Sequence, residues 1–441
     1  MSGLKQALSL WQATMFGIGL ILGAGIYAVI GRTTEFAGPM IWVSVLLAGL
    51  IALLTGLSYA ELSGMYPRAS SSYFYVKQAF PGKEGLAFLV GWMIFFEAAS
   101  GAATASIAFA EYLSALLNLG SWLLVPISLV SIILFSVINW LGIEESSKVN
   151  VLFTIIEASG LLMVIVLGLI LGPVSPNYFT SPPKGWLGIL QGAALIFFAY
   201  VGFELMATTS EETIDASHTV PKAILSALTL CSVLYALVAI AVVRLLPWEV
   251  LATVEAPLAV AAQKVLGASG WLILAFIALF STSNTILGFL VSSSRIAYGM
   301  AYDGMLHKSL AFTDSNRGTP RNTVILAGVI ASFEVLVTGI AGGKIIDAVA
   351  KASNLGALIA FIFVNIATIV LRRRENMDRP FKIRGEIKGV LIPPLIGTVL
   401  CILIIILAFH EPLVWCMTTA VVIIGLFVRK SLSKQGVRGQ N

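Results

Sequence analysis

GLILGAGIY, residues 19–27, is the stretch on which the reading of this chain turns. It sits inside an apolar run from about Leu8 to Ile30, long enough to cross the roughly 30 Å hydrocarbon core of a bilayer. Glycine is among the poorest helix formers, yet Gly17, Gly19, Gly23 and Gly25 crowd this span, with Ala24 between the last two. Two explanations are open. Gly19 and Gly23 form a GxxxG pattern, which lets helices pack closely. Alternatively the helix is unwound at mid-membrane, where glycine frees the backbone and exposed amides and carbonyls can hold a ligand. Lipid does not tolerate unpaired peptide groups, so the second explanation requires a buried cavity. A dinucleotide-binding loop is disfavoured, because the spacing is not GxGxxG and no strand precedes it.

Of the 441 residues, 58% are hydrophobic and 11% charged, and the mean hydropathy is +0.95. Such a composition belongs to an integral membrane protein. The first span is too long for a cleaved signal segment and is expected to be retained. About twelve spans follow from a window of roughly 19 residues, separated by polar stretches too short for an extramembrane domain, so residues 1–441 read as a single transmembrane domain. An even number of spans puts both termini on one side, and most of the 27 Lys and Arg residues fall on that side. The asymmetry predicts a multi-pass protein of the cytoplasmic (plasma) membrane with both termini cytoplasmic. The densest basic cluster, Arg372 to Arg374 with Arg379, Lys382, Arg384 and Lys388, reads as an anchor at the lipid surface rather than a nucleic-acid site. Three cysteines in apolar segments and three scattered histidines indicate neither a disulfide nor a metal site, and no cofactor motif is present. No nucleophile elbow or paired acid and base is visible, so an enzyme is not expected.

A second interruption is expected at the matching span of the other half if the chain is built from inverted repeats. The sixth span supplies it: FFAYVGFELMATTSEET, residues 197–213, carries Gly202 and Glu204 near its middle, followed by a Thr/Ser run. Spans one and six are five apart, as a five-plus-five repeat requires. Intramembrane carboxylates form the other informative class, since each costs at least about 2.5 kcal/mol at the bilayer centre. Glu97, Glu157, Glu204 and Glu334 qualify, with Glu334 read as structural.

Several segments together resemble the amino acid permeases of the amino acid, polyamine and organocation (APC) superfamily, near the cationic amino acid transporter branch. They are GAGIY (23–27), YAELSGMYPRASSSYFY (59–75), FFAYVGFE (197–204), SEETIDASHTVPKAI (210–224), SRIAYGMAYDGMLHK (294–308), NLGALIAF (354–361) and RPFKIR (379–384). The resemblance implies an all-α, LeuT-like bundle of about 12 transmembrane helices with helices 1 and 6 broken. Its repeats would cover about 8–172 and 187–371, with two extra helices at about 390–429. It implies a secondary active transporter working by alternating access on an L-amino acid, cationic or neutral. The substrate α-carboxylate would lie on amides of Gly23, Ala24, Gly25 and Ile26, at a half-helix N-terminus suited to an anion. The ammonium would lie on carbonyls of Ile21, Phe198 and Val201. Phe198, Gly202, Glu97, Gly101 and Thr282 are nominated to select the side chain, with Phe198 as the gate.

Glu157 departs from the family pattern, in which many proton-coupled relatives carry a lysine at the aligned position. Glu157 and Glu204 are therefore the candidate ion-coupling residues. A proton is the expected partner, sodium held with Ser281, Thr282 and Ser283 is an alternative, and uncoupled exchange is a third. A polyamine or organic cation carrier, and a sensor with a carrier fold but no flux, are the competing functions.

Overall fold

The computed structural model describes residues 3–438 except 255, 342, 375–377 and 388; side chains at 24, 28, 340–344 and 433–438 also lie outside the description. In chain order the helices are α1 Leu10–Ala37, α2 Ile41–Met65, α3 Ser72–Ala79, α4 Glu84–Leu117, α5 Leu124–Leu141, α6 Ile143–Leu171, α7 Gly185–Ile196 and α8 Ala216–Leu245. They continue as α9 Trp248–Leu251, α10 Pro257–Leu266, α11 Ala268–Tyr302, α12 Arg321–Ala341, α13 Gly343–Arg372, α14 Ile392–Ala408 and α15 Pro412–Arg438. A hairpin of two-residue strands, β1 Glu386–Ile387 and β2 Val390–Leu391, precedes α14.

Among the described residues, eleven helical segments are long and apolar enough to cross a membrane. The twelfth expected span is α14, whose 17 residues reach about 26 Å at 1.5 Å per residue, the short end of what a bilayer accepts. Burial is distributed as lipid demands. Val130, Ile133, Ile170, Phe333 and Phe427 are 60–73% exposed, while Glu97, Glu157, Glu204 and Arg295 are at most 1% exposed. The apolar surface therefore faces outward and the charged groups face the bundle interior.

Two of the polar stretches are more structured than their sequence suggests. Residues 66–84 contain α3, and residues 247–270 contain α9 and α10. The basic segment after α13 is also more than a surface anchor. Glu61, buried at the end of α2, accepts from Arg372 at 3.0 Å, from Arg379 at 3.2 Å and from the Ile383 amide at 2.8 Å. Arg374 donates to the carbonyls of Gln78 and Ala79 at 2.8 and 3.1 Å. These bonds hold the ends of α2, α3 and α13 together.

Helix α1 runs through the centre, touching α6, α7, α8 and α11, while α11 packs along α4 and α2 along α8. It starts with a reciprocal cap in which Ser9 Oγ accepts from the Gln12 amide and Gln12 Oε1 accepts from the Ser9 amide, satisfying donors that a helix start leaves open. The helix is interrupted at Gly23, with φ −3° and ψ −173°. The sixth span is interrupted more severely. Helix α7 gives way to a 3₁₀ turn at Phe197–Ala199, then to Gly202 at φ 118°, then to a ten-residue 3₁₀ segment, Phe203–Glu212. Runs of 3₁₀ helix this long are uncommon. Here the Thr/Ser run supports it: Thr208, Thr209 and Ser210 each donate to the carbonyl three residues back, at 2.6–2.9 Å.

Candidate functional site

The glycines of the first span divide between the two explanations. Gly17 and Gly19 serve close packing: a Cβ at Gly17 would run into Met206, and one at Gly19 into Asn284, Thr154 and Asn150. Gly23 is the interruption itself. Gly25 permits close approach of the two broken spans, because a Cβ there would lie 3.0 Å from Ala199 Cα. Gly202 closes the contact from the other side, since its positive φ favours glycine and a Cβ would lie 3.0 Å from the Leu20 carbonyl oxygen.

Both interruptions border one cavity of about 360 Å³, whose wall includes the exposed Arg32 and Asp347 at its mouth. Of the residues nominated from sequence, Ile21, Gly23, Gly25, Glu97, Gly101, Phe198 and Val201 line it. Ala24 falls among the residues whose side chains lie outside the description. Ile26, Gly202, Thr282 and Glu204 are placed behind the wall. Ile26 is fully buried. The Gly202 amide donates to both Glu204 carboxyl oxygens, at 3.0 and 3.2 Å. Thr282 donates to the Ala278 carbonyl at 2.9 Å. Thr285, three residues further along α11, reaches the wall instead, as does Phe289.

The two acidic residues of this region differ in how they are held. Glu204 is fixed by its own loop through Gly202. Glu97, on α4, meets the carboxyl group of Glu204, and no hydroxyl, amide or cation among the described residues donates to it. The ring of Phe198 meets Phe409 edge to face at 5.6 Å, which fixes it at the cavity wall.

Glu157 lies behind α1, in a separate polar cluster between α6 and α11. Its carboxylate accepts from Ser281 and, at 3.5 Å, from Asn284 Nδ2. Asn284 also donates to Thr154 at 2.9 Å and accepts from Asn150 at 2.7 Å. Thr154 in turn donates to the Met15 carbonyl of α1 at 3.3 Å. Of the hydroxyls 281–283, that of Ser281 joins this cluster, through its bond to Glu157. Asn150 and Asn284 were not anticipated, although Asn150, Thr154 and Glu157 at i, i+4 and i+7 are the signature of one helix face.

A helical membrane bundle in which two interrupted helices meet at a buried cavity has the layout of a solute carrier. The chain belongs to the amino acid permease family, which its sequence matches over residues 8–428. It is 27% identical over 427 residues to "Branched-chain amino acid permease BcaP" of Bacillus subtilis (strain 168), covering 91% of this chain and 88% of that one. It is 30% identical over 420 residues to "Methylthioribose transporter" of the same organism, covering 90% and 87%. To "Cationic amino acid transporter 4" of Mus musculus it is 32% identical over 394 residues, covering 84% of this chain and 60% of that protein. These relatives are permeases and transporters, and the chain is a multi-pass membrane protein of amino acid transport rather than an enzyme.

Proposed function

We propose that the chain is a secondary active carrier that imports a neutral L-amino acid by alternating access. The observation that carries this reading is the meeting of two unwound backbones at one cavity of about 360 Å³. The substrate carboxylate lies on the amides of residues 23–26, and its ammonium on the carbonyls of Ile21, Phe198 and Val201. Two five-helix repeats of opposite orientation, residues 8–172 and 187–371, supply the two broken helices. Both termini are cytoplasmic, so the mouth marked by Arg32 and Asp347 faces outward.

The side-chain end of the cavity favours an apolar amino acid, because Leu20, Ala105, Leu195, Val201 and Phe289 form much of its wall. Phe289 sits where any side chain at Gly101 would have to go, so its ring limits how long a substrate can be. Phe289→Ala is expected to change the ratio of affinities for arginine or phenylalanine over valine by about tenfold in favour of the larger side chain. Competition of labelled valine uptake in proteoliposomes by a panel of amino acids measures it. An unchanged ranking would remove Phe289 from the specificity site. A cationic substrate is the second reading, favoured by the carboxyl group of Glu97 in the wall, which no cation among the described residues pairs. Inhibition by lysine and arginine, but not by leucine or valine, would select it. Binding without counterflow would instead favour a sensor.

Coupling to a proton is assigned to Glu157. Its hydrogen-bond partners Ser281 and Asn284 are neutral, and the Tyr27 hydroxyl of α1 donates to its backbone carbonyl at 3.4 Å. Glu157→Gln mimics the protonated form, so it is expected to bind and exchange substrate but to lose accumulation driven by a pH gradient. Accumulation that survives intact would move the role to Glu204 or Glu97. A requirement for sodium at fixed pH in the wild type would replace the proton by sodium.

A further inference from the structure

Tyr235 lies on α8, where that helix passes between the two interruptions. It is fully buried, and its hydroxyl lies 2.6 Å from the Ile21 carbonyl oxygen and 3.2 Å from that of Ala199. The two carbonyls belong to opposite interruptions, one just before Gly23 and the other just before Gly202. Its ring is held edge to face against Tyr200 at 5.2 Å, and Tyr200 is itself tied to the Val45 carbonyl at 3.2 Å. The phenol is therefore a fixed point between two backbones that have left helical geometry.

A phenol carries one hydrogen. It can be given fully to one of these carbonyls at a time, and the shorter distance assigns it to Ile21. Resting on the reading that the Ile21 carbonyl receives the substrate ammonium, we propose that Tyr235 is a positioning residue that stands in for that ammonium. In the substrate-free part of the cycle its hydroxyl satisfies Ile21, a buried carbonyl two residues before the interruption at Gly23. When the ammonium arrives, its charge-assisted N–H bonds are the stronger donors. The phenol hydrogen then turns to Ala199, so the Ile21 carbonyl has a donor in both states. The same hydroxyl ties the two broken spans to α8 through both exchanges.

Removing the hydroxyl penalises the substrate-free carrier, which loses the 2.6 Å bond to Ile21, more than the loaded one, which loses the 3.2 Å bond to Ala199. Tyr235→Phe keeps the ring and its packing, and is expected to lower KM by about fivefold. Net uptake should slow by about tenfold, because reorientation without substrate must pass through the state whose carbonyl has lost its donor. Counterflow with amino acid on both sides needs no reorientation of the empty carrier, which exists there only between release and rebinding, and should keep near wild-type rates. Tyr200→Phe keeps the ring that packs on Tyr235 and leaves the Ile21 bond in place, so it should shift KM and the exchange-to-net ratio far less than Tyr235→Phe does.

The experiment is net uptake and counterflow of labelled amino acid in proteoliposomes for the wild type, Tyr235→Phe and Tyr200→Phe, with thermal stability measured alongside. A KM and an exchange-to-net ratio equal to wild type in Tyr235→Phe would overturn the proposal. So would parallel loss of uptake and counterflow, loss of folded protein, or the same shift in Tyr200→Phe. Wild-type binding of the amino acid is also compared with that of its des-amino carboxylic acid. Equal affinity would show that no ammonium site exists and defeat the underlying reading, whereas a strict need for the ammonium with an unaffected Tyr235→Phe defeats the Tyr235 proposal alone.

Discussion

Gly25→Val is expected to yield a folded protein that no longer binds amino acid. A Cβ at this position would lie 3.0 Å from Ala199 Cα, 3.5 Å from Ala199 Cβ and 3.6 Å from its amide nitrogen. These are mostly backbone atoms of the 3₁₀ turn Phe197–Ala199, so they cannot yield as the tip of a flexible side chain would. The two further methyl groups of valine enlarge the conflict, and a β-branched residue also resists the local backbone. Overpacking of this kind costs about 1–3 kcal/mol, which lowers stability without dispersing a bundle of twelve helices. The loss falls on the ligand, because Gly25 lies in the cavity wall and the amides beside it are those proposed to hold the carboxylate. Gly25→Ala carries only the first of the three added carbons and should retain weakened binding. Isothermal titration on the purified variants, with thermal unfolding as the check on folding, measures both. Wild-type affinity in Gly25→Val would sink the assignment of the carboxylate to this loop.

What the sequence revealed depended on whether the signal was local. The break at Gly23 was legible because glycine density inside an apolar run is a property of nine consecutive residues, and the break at Gly202 because an acid and a hydroxyl run sit beside it. The same local signal could not divide the glycines by role. Gly19 is small because Asn150, Thr154 and Asn284 press on it from two other helices, and nothing within residues 19–27 records that pressure. Thr282 and Thr285 differ by three residues, about 60° of helix rotation. In a helix buried on most sides, with apolar neighbours all round, hydropathy does not fix that angle, so the hydroxyl facing the cavity was misplaced by one turn. Tyr235 gave no signal at all, since a tyrosine in an apolar helix is ordinary until its carbonyl partners are known. The helices α9 and α10 were hidden because, at 4 and 10 residues, both are shorter than the window of roughly 19 residues that finds spans.

Arg295→Met is expected to cost more stability than any other single change at the end of the bundle where the chain begins. Arg295 is fully buried and Glu212 is 1% exposed. The guanidinium meets the carboxylate through two parallel bonds, Nε to Oε2 at 3.0 Å and Nη2 to Oε1 at 2.9 Å. Nη1 donates to Asn139 of α5 and, at 2.9 Å, to Ser294 Oγ. The backbone carbonyl of Glu212 accepts from the amides of Ala7 and Leu8 at 2.8 and 2.9 Å, and the Ile214 amide donates to Leu8 at 2.9 Å. One ion pair thus joins α11, α5, the end of the sixth span and the segment leading into α1. With arginine removed, Glu212 is left as an unpaired charge in the interior, a loss of about 3–5 kcal/mol. Removing both charges avoids that penalty, and Arg295→Met with Glu212→Gln should recover more than half of the lost stability, because a buried pair contributes little beyond the cost of breaking it. The pair ties α11 to the end of the sixth span, so if the proposed alternation parts these two elements, the double variant should spend more of its time open at this end. A cysteine placed at Ser210 in a Cys416→Ser background reports this by its rate of alkylation, the remaining Cys231 and Cys401 being buried. Thermal unfolding of the single and double variants tests the first expectation, and equal losses in both would show that Glu212 is satisfied without Arg295. An alkylation rate in the double variant no faster than in the Ser210→Cys parent would show that the pair does not hold this end closed.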